Sequence, residues 1–181
     1  MGNNSTLTRL ELNNNALEGA IPPEIGQLSQ LVSLDLSNNF LTGSIPPELG
    51  QLSELELLRL EENTLSGTVP SELGNLTQLL RLFLFDNQLT GEIPIELGNL
   101  VELTELSISQ NQLSGSIPEQ LGGLTALTRL FLYDNDFSGV IPAELGNLTH
   151  LTELSVSQNR LEGIIPETLS SLKGLTELFL V

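Results

Sequence analysis

Apolar residues recur along the chain with a fixed step of 24 residues. In the unit that begins at Leu79, leucines stand at positions 1, 4, 6 and 11, an asparagine at position 9, a glycine at position 13 and Ile93-Pro94 at positions 15 and 16. Leu97 and Leu100 follow before the next unit begins. A constant period of this length indicates one supersecondary unit stacked on copies of itself, and therefore a repeat solenoid.

The period divides the chain into three parts. Residues 1–6 are a polar N-terminal segment, residues 7–174 contain seven 24-residue units, and residues 175–181 begin an eighth unit. The last three residues are apolar and stop in the middle of that unit. Because an exposed terminal repeat without a polar cap promotes aggregation, we expect the chain to be a fragment of a longer array.

The start of each unit predicts a short β-strand. Leu82 and Leu84 flank Phe83, which places both leucines on one side of an extended segment. Gly91 provides the backbone freedom that a turn requires, and Pro94 favours an extended residue before it. Stacked units would pair their strands in parallel, about 4.8 Å apart, and would share one leucine interior.

An asparagine occupies position 9 of every complete unit. Its amide has two donor hydrogens and an acceptor oxygen, so it can satisfy backbone groups of a turn in its own unit and in a neighbouring unit. We therefore expect a structural ladder of amides, and we expect one Asn→Ala substitution to cost on the order of a few kcal/mol. The ladder comprises Asn15, Asn39, Asn63, Asn87, Asn111, Asn135 and Asn159.

The complete motif, L-x-x-L-x-L-x-x-N-x-L-x-G-x-I-P-x-x-L-G-x-L, resembles the plant-type leucine-rich repeat from Leu7 to Val181. The resemblance implies short parallel strands on a concave face, with turns and extended or 3-10 segments on the convex side, in a twisted superhelix. That family includes receptor-kinase ectodomains and inhibitors of secreted polygalacturonases. The resemblance therefore implies recognition of a protein or peptide, and an extracellular or cell-surface location for the parent protein.

Amino-acid composition and net charge restrict the kinds of partner that the chain can bind. The chain has no cysteine, so it lacks the cysteine-paired caps usual in plant ectodomains and any thiolate chemistry. Its formal charge of −17 disfavours nucleic acid and anionic membranes. No apolar run approaches the roughly 20 residues of a membrane span, and residues 1–6 lack the basic and apolar regions of a secretory signal.

The outward strand positions 3, 5, 7 and 8 carry the candidate binding residues. From the fourth unit onward, Arg-x-Phe-x-(Phe/Tyr)-Asp alternates with Glu-x-Ser-x-Ser-Gln, so the true period there is 48 residues. Large aromatic side chains on an exposed surface often mark interaction sites. The candidate partner-binding residues are Arg81, Phe83, Phe85, Asp86, Glu105, Arg129, Phe131, Tyr133, Asp134 and Glu153.

The same alternation also allows other interpretations. Arg and Glu on neighbouring strands avoid columns of like charge, worth about 0.2–1 kcal/mol per pair, and aromatic rings can shield backbone. Three functions therefore stay open: a recognition module, an inhibitor of a secreted glycoside hydrolase, and a scaffold array without a specific ligand. An ice-binding surface is disfavoured because the outward columns lack a regular lattice of threonines.

Other chemistry is sparse. His150 is the only histidine, which disfavours a histidine-based metal site or a catalytic triad. Glu61 and Glu62 are adjacent and expected to be solvated, so general acid–base chemistry has no support. We expect no enzymatic activity, metal or cofactor, and the pattern does not fix the oligomeric state. Sequons for N-glycosylation begin at Asn75 and Asn147, and also at Asn3 and Asn4.

Overall fold

The chain winds into a solenoid of two parallel sheets and a row of short 3-10 helices. The structure is a computed structural model that describes residues 6–180. Each turn of the solenoid adds one strand to each sheet and one helix between them. The predicted repeat solenoid, with parallel strands on the concave face and 3-10 segments on the convex side, is confirmed.

With strands numbered along the chain, the first sheet contains β1 (Arg9–Glu11), β3 (Ser33–Asp35), β5 (Leu57–Arg59), β7 (Arg81–Phe83), β9 (Glu105–Ser107), β11 (Arg129–Phe131), β13 (Glu153–Ser155) and β15 (Glu177–Phe179). The second sheet contains β2 (Glu18–Ala20), β4 (Phe40–Gly43), β6 (Thr64–Thr68), β8 (Gln88–Gly91), β10 (Gln112–Ser116), β12 (Asp136–Gly139) and β14 (Arg160–Leu161). The helices are η1 (Pro23–Gln27), η2 (Pro47–Gln51), η3 (Ser71–Asn75), η4 (Ile95–Asn99), η5 (Glu119–Gly123), η6 (Ala143–Asn147) and η7 (Glu167–Ser171).

The two sheets differ in register. In the first sheet, Leu82 pairs with Leu106, so partners are 24 residues apart. In the second sheet, Gly67 pairs with Leu89, so partners are 22 residues apart. Each strand of the second sheet is therefore displaced by two residues, or about 7 Å, from its equivalent in the preceding turn. Gly67 has a φ of 77°, a conformation that disfavours residues with a Cβ.

The leucines of successive turns form one continuous core. Leu82, Leu106 and Leu130 on the first sheet are fully buried, and the leucines that follow the 3-10 helices are buried as well. Phe137 replaces the leucine at position 11 of its unit and is also fully buried. Burial of each such side chain contributes about 1.5–3 kcal/mol relative to exposure, so this interior is the main source of stability.

Neighbouring 3-10 helices stack closely on the convex side. A Cβ placed on Gly74 in η3 would lie 2.4 Å from the backbone oxygen of Glu96 in η4. That distance is shorter than any real contact, so a glycine at position 20 allows the turns to approach each other. Among residues 6–180, no helix has the length and apolar character that crossing a bilayer requires.

The ladder asparagines bond backbone groups of two successive turns. Asn63 Nδ2 lies within hydrogen-bond distance of the carbonyl oxygens of Leu60 (3.2 Å), Glu61 (3.1 Å) and Leu36 in the preceding turn (3.1 Å). Asn63 Oδ1 accepts from Leu41 N at 3.0 Å. The same four contacts recur at Asn39, Asn87, Asn111, Asn135 and Asn159.

Asn15 differs from the other members of the series. It is exposed, and its amide donates to the carbonyls of Leu12 and Asn13, each at 3.1 Å. Both carbonyls belong to its own turn, so within the described residues the Asn15 side chain makes no bond between turns, and only its backbone N–H donates to the next turn, to Asn38 O at 3.3 Å. The sequons at Asn3 and Asn4 lie outside the described residues, as does Val181, while the boundaries drawn at residues 6 and 174 stay a prediction.

Candidate functional site

The outward side of the first sheet carries the candidate binding residues. Each strand is three residues long, so its central leucine points inward and its two flanking residues point to the concave surface. The central leucines from β1 to β13 are buried, whereas Leu178 of β15 is exposed. Positions 7 and 8 of each unit extend this surface beyond the strand. The candidate residues at β7, β9, β11 and β13 therefore share one face, in the strand order that the repeat predicts.

Two pairs of aromatic rings stand on this face. Phe83 and Phe85 contact edge to face, with ring centroids 6.4 Å apart and an interplanar angle of 82°. Phe131 and Tyr133 repeat the arrangement at 6.5 Å and 77°. All four residues are half-buried. We call these pairs the first and second aromatic ridge; their T-shaped geometry is a favourable one for aromatic contacts.

A turn that carries serines separates the ridges. Ser107 and Ser109 are 5% and 0% exposed, and their hydroxyl oxygens are 3.3 Å apart. Ser155 and Ser157 stand on the equivalent turn beyond the second ridge, again with 3.3 Å between hydroxyls. Phe179 on β15 follows and is 50% exposed. Because β7 and β11 are two strand spacings apart, ridges repeat about every 9.6 Å.

The charged candidates on this face form one ion pair. Arg129 Nη2 donates to Glu105 Oε2 at 2.6 Å, and Glu105 is buried. Arg81 faces Glu105 in the backbone register, and Glu153 faces Arg129. Within residues 6–180, however, neither Arg81 nor Glu153 joins an ion pair. The alternation thus places opposite charges side by side and leaves the exposed Arg81 guanidinium free.

Asp86 and Asp134 have a backbone role that the sequence pattern did not reveal. Both follow the aromatic ridges at position 8, both are exposed, and their φ angles are 53° and 56°. Every described residue at this position has a similar positive φ. Asn and Asp tolerate this left-handed conformation better than most residues, so part of the reason for an aspartate here is the turn itself.

A partly buried ionic cluster on the first half of the face was not predicted from the sequence. Arg59 Nε donates to Glu61 Oε1 at 2.7 Å, and Arg59 also lies 3.5 Å from an Asp35 carboxylate oxygen. Its guanidinium carbon sits 5.5 Å from the centre of the Phe83 ring. The signal was available, because opposite charges at facing positions of neighbouring strands tend to pair.

The expectation that Glu61 is solvated is wrong. Its side chain is beneath Arg59 and 1% of the residue is exposed, while Oε2 is buried without a hydrogen-bond partner. Burial raises the pKa of the Glu61 carboxyl above its usual value, and a backbone hydrogen bond and Arg59 act in the opposite direction. Glu62, its neighbour in sequence, is exposed as expected.

The remaining candidates lie elsewhere. Asn75 and Asn147 are exposed at the last residues of η3 and η6, on the convex side. His150 is exposed and its Nδ1 lies 2.9 Å from the carbonyl oxygen of Thr125. No three acidic or histidine side chains within residues 6–180 are grouped to hold a metal ion. An open groove of about 460 Å³, which includes Ile95 and Val140, runs along the helix side and away from the ridges.

Family comparisons agree with this architecture. Residues 1–109 match the model of a leucine-rich repeat region, and residues 102–124, 126–148 and 150–172 match the single leucine-rich repeat. The chain belongs to the leucine-rich repeat family. Its resemblance to plant receptor-kinase ectodomains is confirmed by solved structures, whereas no curated protein sequence matches it.

Three solved structures show how far this leucine-rich repeat chain extends along its relatives. The plant peptide hormone receptor RGFR1, in complex with RGF2, is 41% identical over 99% of this chain and 29% of that chain, with a TM-score of 0.98. A second structure is the leucine-rich repeat ectodomain of the Arabidopsis thaliana membrane receptor kinase GASSHO1/SCHENGEN3, in complex with CASPARIAN STRIP INTEGRITY FACTOR 2. It is 41% identical over 99% of this chain and 22% of that chain, with a TM-score of 0.94. A plant ice-binding protein is 31% identical over 91% of this chain and 68% of that chain, with a TM-score of 0.65. The chain thus spans less than a third of either receptor ectodomain.

Proposed function

We propose that this leucine-rich repeat chain recognises a peptide or an exposed protein segment on its concave face, with the two aromatic ridges as the main contact. The observation that carries this proposal is the pair of outward T-shaped aromatic contacts, Phe83–Phe85 and Phe131–Tyr133, held two turns apart on the same parallel sheet. The likeness to RGFR1, a peptide hormone receptor, supports the same conclusion.

The scaffold itself does not require these rings. Positions 5 and 7 hold Phe131 and Tyr133 on one turn and Ser107 and Ser109 on the turn before. The strands on either side keep the same register, and the central leucine of each is fully buried. Aromatic side chains are strong interface anchors because they bury a large area at little cost in rotamer entropy. Their presence on these turns therefore favours a partner over decoration.

The surroundings restrict the partner. The acidic surface repels nucleic acid and anionic membranes, which leaves a protein or peptide. We infer that the chain acts by binding alone, without catalysis or a cofactor, and that its parent protein works outside the cell or at the cell surface. The candidate residues from Arg81 to Glu153 remain the predicted contact set, with Glu105 restricted to pairing Arg129.

The test is selection of linear peptides from a displayed random library on the wild-type chain and on a Phe131→Ala/Tyr133→Ala variant. We expect wild-type binders that lose at least tenfold in affinity on the variant, while Tm changes little because both side chains are half-buried. Phe40→Ala, which removes an exposed ring from the second sheet, is the matched control and should keep full affinity. Equal binding by the double variant, or no enriched peptide at all, would overturn the proposal.

Inhibition of a glycoside hydrolase is tested separately. A polygalacturonase assayed with and without the isolated chain should keep its activity if the ridges serve peptide recognition. Inhibition that persists in the Phe131→Ala/Tyr133→Ala variant would place the function on another surface and argue against the concave face.

A further inference from the structure

We propose that the groove containing Ile95 and Val140 is a second interaction surface, and that it binds a protein segment whose aliphatic side chains are flanked by lysine or arginine. We call this groove the lateral groove. None of its lining residues belongs to the first sheet, so the inference goes beyond recognition on the concave face.

The lateral groove lies between the ends of second-sheet strands and the beginnings of three 3-10 helices. It has a volume of about 460 Å³ and crosses three successive turns, where Ile95, Glu119 and Ala143 are the first residues of η4, η5 and η6. On the sheet side, Ser116 ends β10 and Val140 directly follows β12. A volume in this range is typical of clefts that receive ligands.

Aliphatic side chains in the lateral groove are open to solvent. Ile95 is 56% exposed and Val140 is 57% exposed. Ile117 and Pro118 line the groove from the turn between them and are buried. Exposed aliphatic side chains that share a cleft mark an interaction surface, whereas single ones scattered over a protein do not.

The scaffold does not require these aliphatic residues. A second groove of about 430 Å³ lies earlier along the solenoid, between the same kinds of element. Ser71 stands there at the repeat position of Ile95, and Ser44 and Thr68 stand at the repeat position of Val140. The earlier groove is therefore polar where the lateral groove is aliphatic, which favours a partner at the lateral groove over a requirement of the fold.

The charge of the lateral groove specifies the partner further. Glu92, Glu119 and Glu144 line it, and no lysine, arginine or histidine does. Within residues 6–180, none of these three carboxylates takes part in an ion pair. The earlier groove has a single carboxylate, that of Glu72. A partner that carries lysine or arginine beside its aliphatic residues complements this charge, whereas a second copy of the chain, at a formal charge of −17, is repelled.

The experiment uses the heptapeptide Lys-Leu-Lys-Leu-Lys-Leu-Lys, acetylated and amidated at its ends, as the probe. In an extended peptide this alternation places every leucine on one side. The probe is titrated into the isotope-labelled chain and followed by NMR. We expect saturable binding that weakens with added salt, with the largest shift changes at the amides of Ile95, Ile117 and Val140. Largest changes on the first sheet, or the absence of saturable binding, would overturn the inference.

A first pair of variants tests the aliphatic contact at constant net charge. Ile95→Ser/Val140→Ser should bind the probe at least tenfold more weakly than the wild type. Its Tm should change little, because Ser71 and Ser44 occupy the same repeat positions on other turns. Val101→Ser removes a 50% exposed side chain outside the groove and is the matched control, which should bind as the wild type does. Equal affinity of Ile95→Ser/Val140→Ser and the wild type would refute the aliphatic contact.

A second pair of variants tests the charge. Glu119→Gln/Glu144→Gln should weaken binding by about threefold or more and reduce its salt dependence. Glu24→Gln/Glu54→Gln has the same net charge, lies outside the groove and should bind as the wild type does. A probe with serine in place of each leucine should bind the wild type at least tenfold more weakly. Equal weakening by the two glutamine pairs, or equal affinity of the two probes, would show that net charge alone holds the peptide and would overturn the inference.

Discussion

The two halves of the concave face use the same strands for opposite purposes. From β1 to β5, the polar outward residues pair with each other: Arg59 lies between Asp35 and Glu61 and covers the latter. From β7 to β15, the aromatic ridges face outward and Arg81 has no ion-pair partner within the described residues. Both halves share the leucine core and the asparagine ladder. The comparison shows that the scaffold fixes where outward side chains stand, while the residue chosen there decides whether the surface closes on itself or remains available.

The largest expected effect tests the shared scaffold. Asn63→Ala in the first half and Asn135→Ala in the second should each destabilise the chain by about 3–4 kcal/mol, because several buried backbone groups lose a partner at about 1–3 kcal/mol each. Both asparagines make the same four contacts. Urea denaturation measures the loss. Asn15→Ala, at an exposed amide, should cost far less, and clearly unequal losses at Asn63 and Asn135 would break the equivalence of the two halves.

A smaller effect distinguishes the two halves. Arg59→Met should cost about 2 kcal/mol, because it removes the cation that faces the buried Glu61 carboxyl. The cost is below that of a fully buried pair because Arg59 is partly exposed. Arg129→Met should cost less, under about 1 kcal/mol, because the Glu105 side chain is 11% exposed and the Glu61 side chain only 2%. The free energies of unfolding of both variants at neutral pH provide the comparison. Equal values would mean that the first half is no more closed than the second.

The smallest effect concerns pH. Because burial raises the folded-state pKa of Glu61, the folded chain binds this proton more readily than the unfolded chain. Its contribution to stability is therefore full below the unfolded pKa of about 4.3 and is lost as pH rises through the folded pKa. Glu61→Gln should remove this pH dependence of stability. On acidification to about pH 4, the Tm of the variant should therefore rise less than the Tm of the wild type. Glu62→Gln is the exposed control, and a matching profile for Glu61→Gln and wild type would contradict the assignment.

The sequence predicts most of the fold because the period repeats a single set of constraints. The leucines at Leu82 and Leu106 and the amide at Asn63 have the same environment on every inner turn, so one unit describes them all. The ridges could also be placed, because strand alternation determines which residues face outward. The pairing of Arg129 with Glu105, but not of Arg81 with Glu105, could not be predicted, since register makes both arginines neighbours of the same carboxylate.

Three other features could not be predicted from the repeat pattern, for related reasons. The burial of Glu61 depends on the particular neighbour Arg59, which occurs once in the chain. The two-residue displacement of the second sheet depends on how the turn after the asparagine is closed, which the apolar period does not encode. The positive φ at Asp86 is obscured because Gln110 and Glu62 also adopt it, so residue type alone gives no clear signal.

The 48-residue pairing of turns has a consequence for how such a surface can lengthen. Duplicating one pair of turns would add one aromatic ridge and one serine-bearing turn together, and would extend the concave face by about 9.6 Å. Duplicating a single turn would instead place two ridges or two serine-bearing turns side by side. Binding length in this architecture would thus change in discrete steps, with the pair of turns as the smallest gene segment that keeps the pattern in phase.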